Sequence, residues 1–216
     1  YWVEQALRRQ GFKALSALSN EGAKADSIRK SFNRLIALTQ PGDKIVIHYG
    51  GHGTQLIDFD GDEKEDHLDE AIVPYDAPSP SNPGRHRSKL FIRDDELGVY
   101  LGLLQAAVGK TGHVLVIIDA CHSGTLNRGQ GRIRTDNYPH QKPSEQKKNK
   151  GTSDWFQITP ASRTSTNTGT LVMITSSGAN EQTREVNDEE HQPVGPLSYF
   201  FAKTIEKVEK DERYPW

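Results

Sequence analysis

The chain has 216 residues, and its 27 Lys and Arg against 29 Asp and Glu give a formal net charge of −2 at pH 7. This length suits one large domain, and the balanced charge indicates neither a nucleic-acid nor a membrane-surface partner. The sequence has no apolar run of about 18 residues, so it contains no candidate membrane helix. The single cysteine excludes an internal disulfide and a multi-cysteine metal site. It fits a reducing compartment, and we expect a cytoplasmic protein.

Helical and strand-like patterns alternate along the chain. In chain order they predict a helix over 2–11, a helix over 25–39, a strand over 44–49, a helix over 94–108, a strand over 114–119, a strand over 171–175 and a helix over 197–208. The strands are continuously apolar and the helices between them are amphipathic. This pattern predicts an α/β fold with a mostly parallel sheet that helices cover on both faces.

Two charged segments interrupt these elements. Residues 58–70 contain eight acidic residues and one lysine, a local charge of −7. Residues 127–150 contain seven basic and two acidic residues, a local charge of +5. Gly-, Ser- and Thr-rich sequence then continues to about residue 169, so we predict a flexible basic linker over 127–169 within one domain spanning 1–216.

Two predicted strands end in reactive residues. His52 follows the first strand between glycines, and Cys121 follows the second. Because sites in parallel sheets lie beyond the carboxyl ends of the strands, these residues can form the thiol–imidazole pair that cysteine-nucleophile hydrolysis requires. The amides of Gly53 and Cys121 are candidates for an oxyanion hole. The alternative is that Cys121 is a small buried apolar residue.

Four segments are the most specific indicators of a protein family. They are HYGGHGTQ at 48–55, DGDE at 60–63, DEAIVPYD at 69–76 and DACHSG at 119–124. Their order and spacing resemble the metacaspase branch of the caspase-like peptidases, and the resemblance extends from the first helix to residues 195–199. It implies a caspase-like three-layer sandwich whose first strand precedes Tyr1 and whose further strands follow Trp216. It also implies a large-subunit-like part over 1–126 and the start of a small-subunit-like part over 170–216.

The resemblance assigns a role to individual residues. His52 becomes the catalytic histidine and Cys121 the nucleophile of a monomeric enzyme that acts on proteins or peptides. Asp119 forms the floor of the primary specificity pocket, with Gly50 also in the substrate-binding region. A buried carboxylate selects Arg or Lys before the cut, because a guanidinium or ammonium group compensates its desolvation. The alternative for Asp119 is an ordinary turn residue at a strand end.

The chemistry requires no cofactor, but the resemblance implies Ca²⁺ as a possible activator. Asp69, Asp94 and Asp95 match three of the carboxylates that hold the ion in many metacaspases. The fourth position falls at Arg128, which opposes a divalent cation and could replace it by pairing with these acids. The acidic run over 58–70 lacks the glycine that an EF-hand loop requires, and its alternative is a solvated loop.

The leading hypothesis is a cysteine endopeptidase that cleaves after Arg or Lys and processes itself in the basic linker. The linker could instead be a solvated loop or bind an acidic partner. We expect no nucleic-acid partner, because Tyr138 is the single aromatic residue over 127–150. Two other classes stay open: a catalytically silent interaction module, against which the intact His52 and Cys121 argue, and a Ca²⁺-responsive regulatory domain, against which Arg128 argues.

Overall fold

The computed structural model describes residues 2–57, 68–78, 88–120, 167–176 and 184–208. The helices are α1 (Trp2–Arg9), α2 (Ala25–Leu38), α3 (Asp94–Val108) and α4 (Pro196–Lys207). The strands are β1 (Lys44–Gly50), β2 (Gly53–Ile57), β3 (Leu68–Ile72), β4 (Ile92–Arg93), β5 (His113–Asp119), β6 (Thr170–Thr175), β7 (Val186–Asn187) and β8 (Pro193–Val194). Nearly all of the predicted basic linker lies outside the described residues. None of the described helices combines the length and apolar content that crossing a membrane requires.

The central sheet consists of β1, β5 and β6 in the order β1-β5-β6, and all three strands are parallel. The pairing of β1 with β5 runs from Lys44 opposite His113 to Gly50 opposite Asp119. The predicted parallel sheet is therefore confirmed. The register also aligns the carboxyl ends of β1 and β5, where the sequence places its reactive residues.

Helices cover both faces of this sheet. One face packs on α2 and α3 through the main core, whose members include Phe32, Ile45, Leu97, Leu101, Leu104, Val114, Val116 and Ile118. Successive side chains of a strand point to opposite faces, so Asp119 points away from that core and reaches α4. Helices α1 and α4 pack together on this second side through Val3, Ala6 and Ala202. The layered arrangement of the prediction is confirmed.

A second, antiparallel sheet was not predicted from the sequence. Its strand order is β2-β3-β4, with Gly53 opposite Ile72 and Ile72 opposite Ile92. Strand β3 reads Leu-Asp-Glu-Ala-Ile, a mixture of charged and apolar residues without the β-branched alternation that indicates a strand. Tertiary packing stabilises it instead, because Ala71 and Phe91 are buried against each other. This small sheet follows directly from the end of β1 and carries Asp69.

A polar contact between α2 and α3 fixes the start of α3. The Arg29 guanidinium donates to both oxygens of Glu96 at 2.7 and 2.8 Å, and to the carbonyl oxygens of Lys89 and Phe91 at 2.8 and 3.0 Å. The hydrogen bond to Glu96 raises the pKa of Arg29 above its ordinary value. These four bonds hold the first turn of α3, which carries two of the predicted metal-binding carboxylates, against the rest of the domain.

Candidate active site

The carboxyl ends of β1 and β5 form one edge of the central sheet. Gly50 lies opposite Asp119, and the Gly51 amide donates a hydrogen bond to the Asp119 carbonyl oxygen at 3.2 Å. His52 comes two residues after Gly50, and Cys121 comes two residues after Asp119. Cys121 itself lies outside the described residues, which end here at 120. The register therefore brings the strand ends that lead to both reactive residues together.

The backbone around His52 is held by Tyr49 and by the second sheet. The Tyr49 hydroxyl lies 2.7 Å from the His52 carbonyl oxygen, and the Val73 amide donates to the same oxygen at 3.1 Å. A Cβ atom on Gly51 would lie 2.5 Å from the Tyr49 hydroxyl, so a larger residue there would have to displace the Tyr49 side chain. The His52 side chain is exposed, and Gly53, the predicted oxyanion-hole residue beside it, is buried at the start of β2. The loop is fixed while the imidazole faces solvent.

The end of β5 is anchored by Ser176, which directly follows β6. Its hydroxyl donates to the Ala120 carbonyl oxygen at 3.0 Å, and its amide donates to the Ile118 carbonyl oxygen at 3.0 Å. Ala120, the residue before Cys121, is completely buried. The sequence gives no sign of this role for Ser176, because a serine after a strand is common in loops.

Asp119 is completely buried, and its two carboxylate oxygens have different surroundings. Oδ2 accepts a hydrogen bond at 2.8 Å from the backbone amide of Ser198, the third residue of α4. Oδ1 is buried and has no hydrogen-bond partner among the described residues. Gly50, its opposite neighbour on β1, is exposed. The contact with Ser198 was missed in the sequence, although Gly195 at the start of α4 offers no capping side chain and so requires a partner from elsewhere.

Three carboxylates form a cluster between β3 and the start of α3. Asp69, Asp94 and Asp95 each place an oxygen within 4.8 Å of the others. Asp69 and Asp94 are buried, with 2% and 4% of their surface exposed, whereas Asp95 is exposed. The structure thus brings the three predicted metal-binding residues together. Arg128, predicted beside them, lies outside the described residues.

The Arg93 guanidinium pairs with this cluster. Its Nη1 contacts Asp69 Oδ2, and both side chains are largely buried. The other oxygen, Asp69 Oδ1, is buried without a hydrogen-bond partner among the described residues. Carboxylate oxygens are the ligands that Ca²⁺ prefers, so the donor set fits the ion. Sequence reasoning missed Arg93, although it directly precedes the acidic pair, because its partner lies 24 residues away on β3.

Comparisons with known proteins identify a family to which the sequence is similar. The sequence profile of the metacaspase, peptidase C14 domain matches residues 9–128. "Metacaspase-1" of Pyricularia oryzae is 39% identical over 101 residues, which cover 46% of this chain and 22% of that protein. "Metacaspase-2" of Arabidopsis thaliana is 35% identical over 101 residues, which cover 47% of this chain and 21% of that protein. A crystal structure of a Geobacter sulfurreducens protein has a TM-score of 0.46 at 26% identity, covering 62% of this chain and 45% of that chain.

The matched region contains most of the elements described above. It runs from the end of α1 through β5 and includes His52, the acidic cluster, Asp119 and Cys121. The chain spans less than a quarter of the length of the two metacaspases. Since the profile nevertheless matches more than half of the 216 residues, the chain belongs to the metacaspase, peptidase C14, family.

Proposed function

We propose that this chain carries the active site of a cysteine endopeptidase, with Cys121 as nucleophile and His52 as its acid–base partner. The observation that carries the proposal is the register of β1 and β5, which sets Gly50 opposite Asp119 just before the two reactive residues. Membership of the peptidase C14 family supports the same reaction class. The exposed imidazole of His52 leaves room for a peptide at this edge.

The proposed reaction proceeds through a thioester. His52 takes the proton of the Cys121 thiol, and the thiolate attacks the scissile carbonyl carbon. The amides of Gly53 and Cys121 donate to the oxyanion of the tetrahedral intermediate. The His52 imidazolium then protonates the leaving amine as the C–N bond breaks. Water attacks the thioester, with its proton passing to His52, and releases the new carboxylate and the thiol.

The proposed substrates are proteins or peptides with Arg or Lys before the cut. Buried Asp119, with Oδ1 unpaired among the described residues, supplies the negative charge that a guanidinium or ammonium group would satisfy. Gly50 is exposed opposite Asp119 on β1, and we assign it to the wall of the substrate-binding region. The same preference would permit self-processing in the basic linker over 127–169.

We also propose the setting in which the enzyme acts. The single cysteine favours a reducing compartment, so we place the protein in the cytoplasm. A net charge of −2 gives no electrostatic reason for a nucleic-acid or membrane partner. We propose that the enzyme is a monomer, as the family resemblance implies.

A panel of fluorogenic peptides tests the proposed function. Peptides with Arg, Lys or Asp before the leaving group are incubated with the chain and with Cys121→Ala. We expect release after Arg and Lys alone, no release by the variant, and self-cleavage on a gel only where the thiol is present. No cleavage of any peptide in Ca²⁺ or in chelator would contradict the proposal and favour a catalytically silent module.

We propose in addition that Asp69, Asp94 and Asp95 bind Ca²⁺ as an activator. Asp69 Oδ1 is buried and has no donor among the residues that the structure describes, and this supports the site, because such an oxygen is costly unless a cation meets it. When bound, the ion would supply the positive charge that joins β3 to the start of α3. Strand β3 leads into Val73, whose amide holds the His52 carbonyl oxygen, so the cluster is connected to the active-site loop.

Binding of Ca²⁺, measured by calorimetry, tests this site independently of activity. Asp69→Asn should weaken binding by about tenfold or more, because affinity follows the charge of the ligand set. Arg93→Gln should tighten binding several-fold, since the guanidinium no longer competes for Asp69. Glu4→Gln, which removes an acid that pairs with Arg8 within α1 on the other side of the central sheet, is the control and should change nothing. Equal affinity in all three variants would refute the site.

A further inference from the structure

The carboxylate that we propose as the pocket floor is held by a distant part of the chain. Asp119 ends β5, and Ser198 lies 79 residues later in α4. The Ser198 amide donates to Asp119 Oδ2 at 2.8 Å. The Ser198 hydroxyl lies 2.8 Å from Nε2 of His48 on β1. One residue of α4 therefore connects to both strands that form the active-site edge.

From this geometry we infer that Ser198 is a positioning residue for substrate specificity. Its amide occupies Oδ2 of Asp119 and leaves Oδ1 as the oxygen that meets the basic group of the substrate. His48 in turn holds the Ser198 side chain. The inference rests on the proposed role of Asp119 and adds the means by which that carboxylate is oriented.

Two physical effects give the contact this role. The terminal torsion of an aspartate is broad, so a single strong hydrogen bond to Oδ2 decides where Oδ1 points. The start of a helix also carries partial positive charge and unsatisfied N–H groups. Gly195 has no side chain to cap them, and the Asp119 carboxylate instead accepts the hydrogen bond of the Ser198 N–H. The helix thereby stabilises a charged carboxylate at a completely buried position.

The contact crosses between the two parts of the chain that the basic linker joins. Asp119 belongs to the part over 1–126 and Ser198 to the part over 170–216. A shift of α4 would change the position of Asp119 Oδ1 without touching His52. Changes at the start of α4 should consequently alter the preference for basic substrates more than the rate of cleavage. General destabilisation of the domain would instead lower the activity on all substrates alike.

The readout is the ratio of kcat/KM for an Arg peptide to that for the matched citrulline peptide, since citrulline is the neutral isostere of arginine. Ser198→Pro removes the N–H that bonds Asp119, at a turn where the N–H groups have no intrahelical acceptor. Leu197→Pro introduces the same ring one residue earlier, and no hydrogen bond links Leu197 to Asp119 among the described residues. We expect about a tenfold lower ratio in Ser198→Pro, as for a lost bond to a charged group, and an unchanged ratio in Leu197→Pro.

Side-chain variants decide the question where Ser198→Pro does not fold. Ser198→Ala and His48→Gln keep the Ser198 amide but weaken or remove the hydrogen bond between the Ser198 hydroxyl and His48, so each should lower the ratio about threefold. Ser198→Thr keeps the hydroxyl and should retain the original ratio. Glu189→Gln, which removes an exposed contact to Lys203 of α4, should leave it unchanged. If the Ser198 and His48 variants keep the ratio while Asp119→Asn lowers it, the inference about Ser198 is overturned and the proposed pocket stands. An unchanged ratio in Asp119→Asn would overturn the proposed pocket and the inference with it.

Discussion

We expect Cys121→Ala to abolish peptide hydrolysis and His52→Ala to lower kcat about a thousandfold, the contribution typical of a general acid–base group. In the proposed mechanism the thiol forms the covalent bond, and no second cysteine can replace it in this chain. The imidazole only assists the thiolate and the leaving amine, so its loss leaves a slow residual reaction. The difference between the two variants reports the separate roles of the residues.

Thiol alkylation at neutral pH checks this pair without a substrate. Cys121 should react rapidly with iodoacetamide in the intact chain and slowly in His52→Ala, because a neighbouring imidazolium favours the thiolate. His113 provides a matched control, since it is exposed at the opposite end of β5, where it faces Lys44. His113→Ala should alkylate at the original rate. Hydrolysis retained by Cys121→Ala, or alkylation unaffected by His52→Ala, would refute the assignment.

The central sheet could be predicted because its strands carry their own signal. Strand β5 is a run of apolar, mostly β-branched residues between a helix and a loop, and such runs occur in buried parallel strands. The second sheet could not, since β3 contains Asp69 and Glu70 and β4 has two residues. Their stability comes from partners that are distant in sequence, which local patterns do not contain.

The same distinction applies to the candidate active site. His52, Asp119 and Cys121 could be proposed as site residues because they lie at or just after the carboxyl ends of two predicted strands. The parallel register brings those two strand ends together. The contacts of the two buried carboxylates join segments that are distant in sequence: Arg93 on β4 pairs with Asp69 on β3, and the Ser198 amide on α4 donates to Asp119. No spacing rule predicts which amide or guanidinium arrives at a buried carboxylate. The strand ends that carry the proposed site residues could therefore be predicted from the sequence, whereas the contacts that hold their side chains could not.

Asp119→Asn should remove most of the preference for basic residues while leaving the fold nearly intact. The amide oxygen of asparagine can still accept the bond from the Ser198 amide, so α4 keeps its cap. The negative charge is lost, and with it the attraction for a guanidinium or ammonium group. The ratio of kcat/KM for Arg over citrulline peptides should fall about a hundredfold, the scale of a buried charge-assisted pair.

Asp119→Ala separates the capping role from the pocket role. It removes the acceptor of the Ser198 amide as well as the charge, so the free energy of unfolding should fall by about 1 kcal/mol more than in Asp119→Asn. Urea denaturation measures this difference. Asp188→Asn is the matched control, because Asp188 is also buried and accepts amide bonds from Glu190 and Gln192, and it should keep the Arg preference. If Asp119→Asn also keeps that preference, the carboxylate caps α4 and another group recognises the substrate.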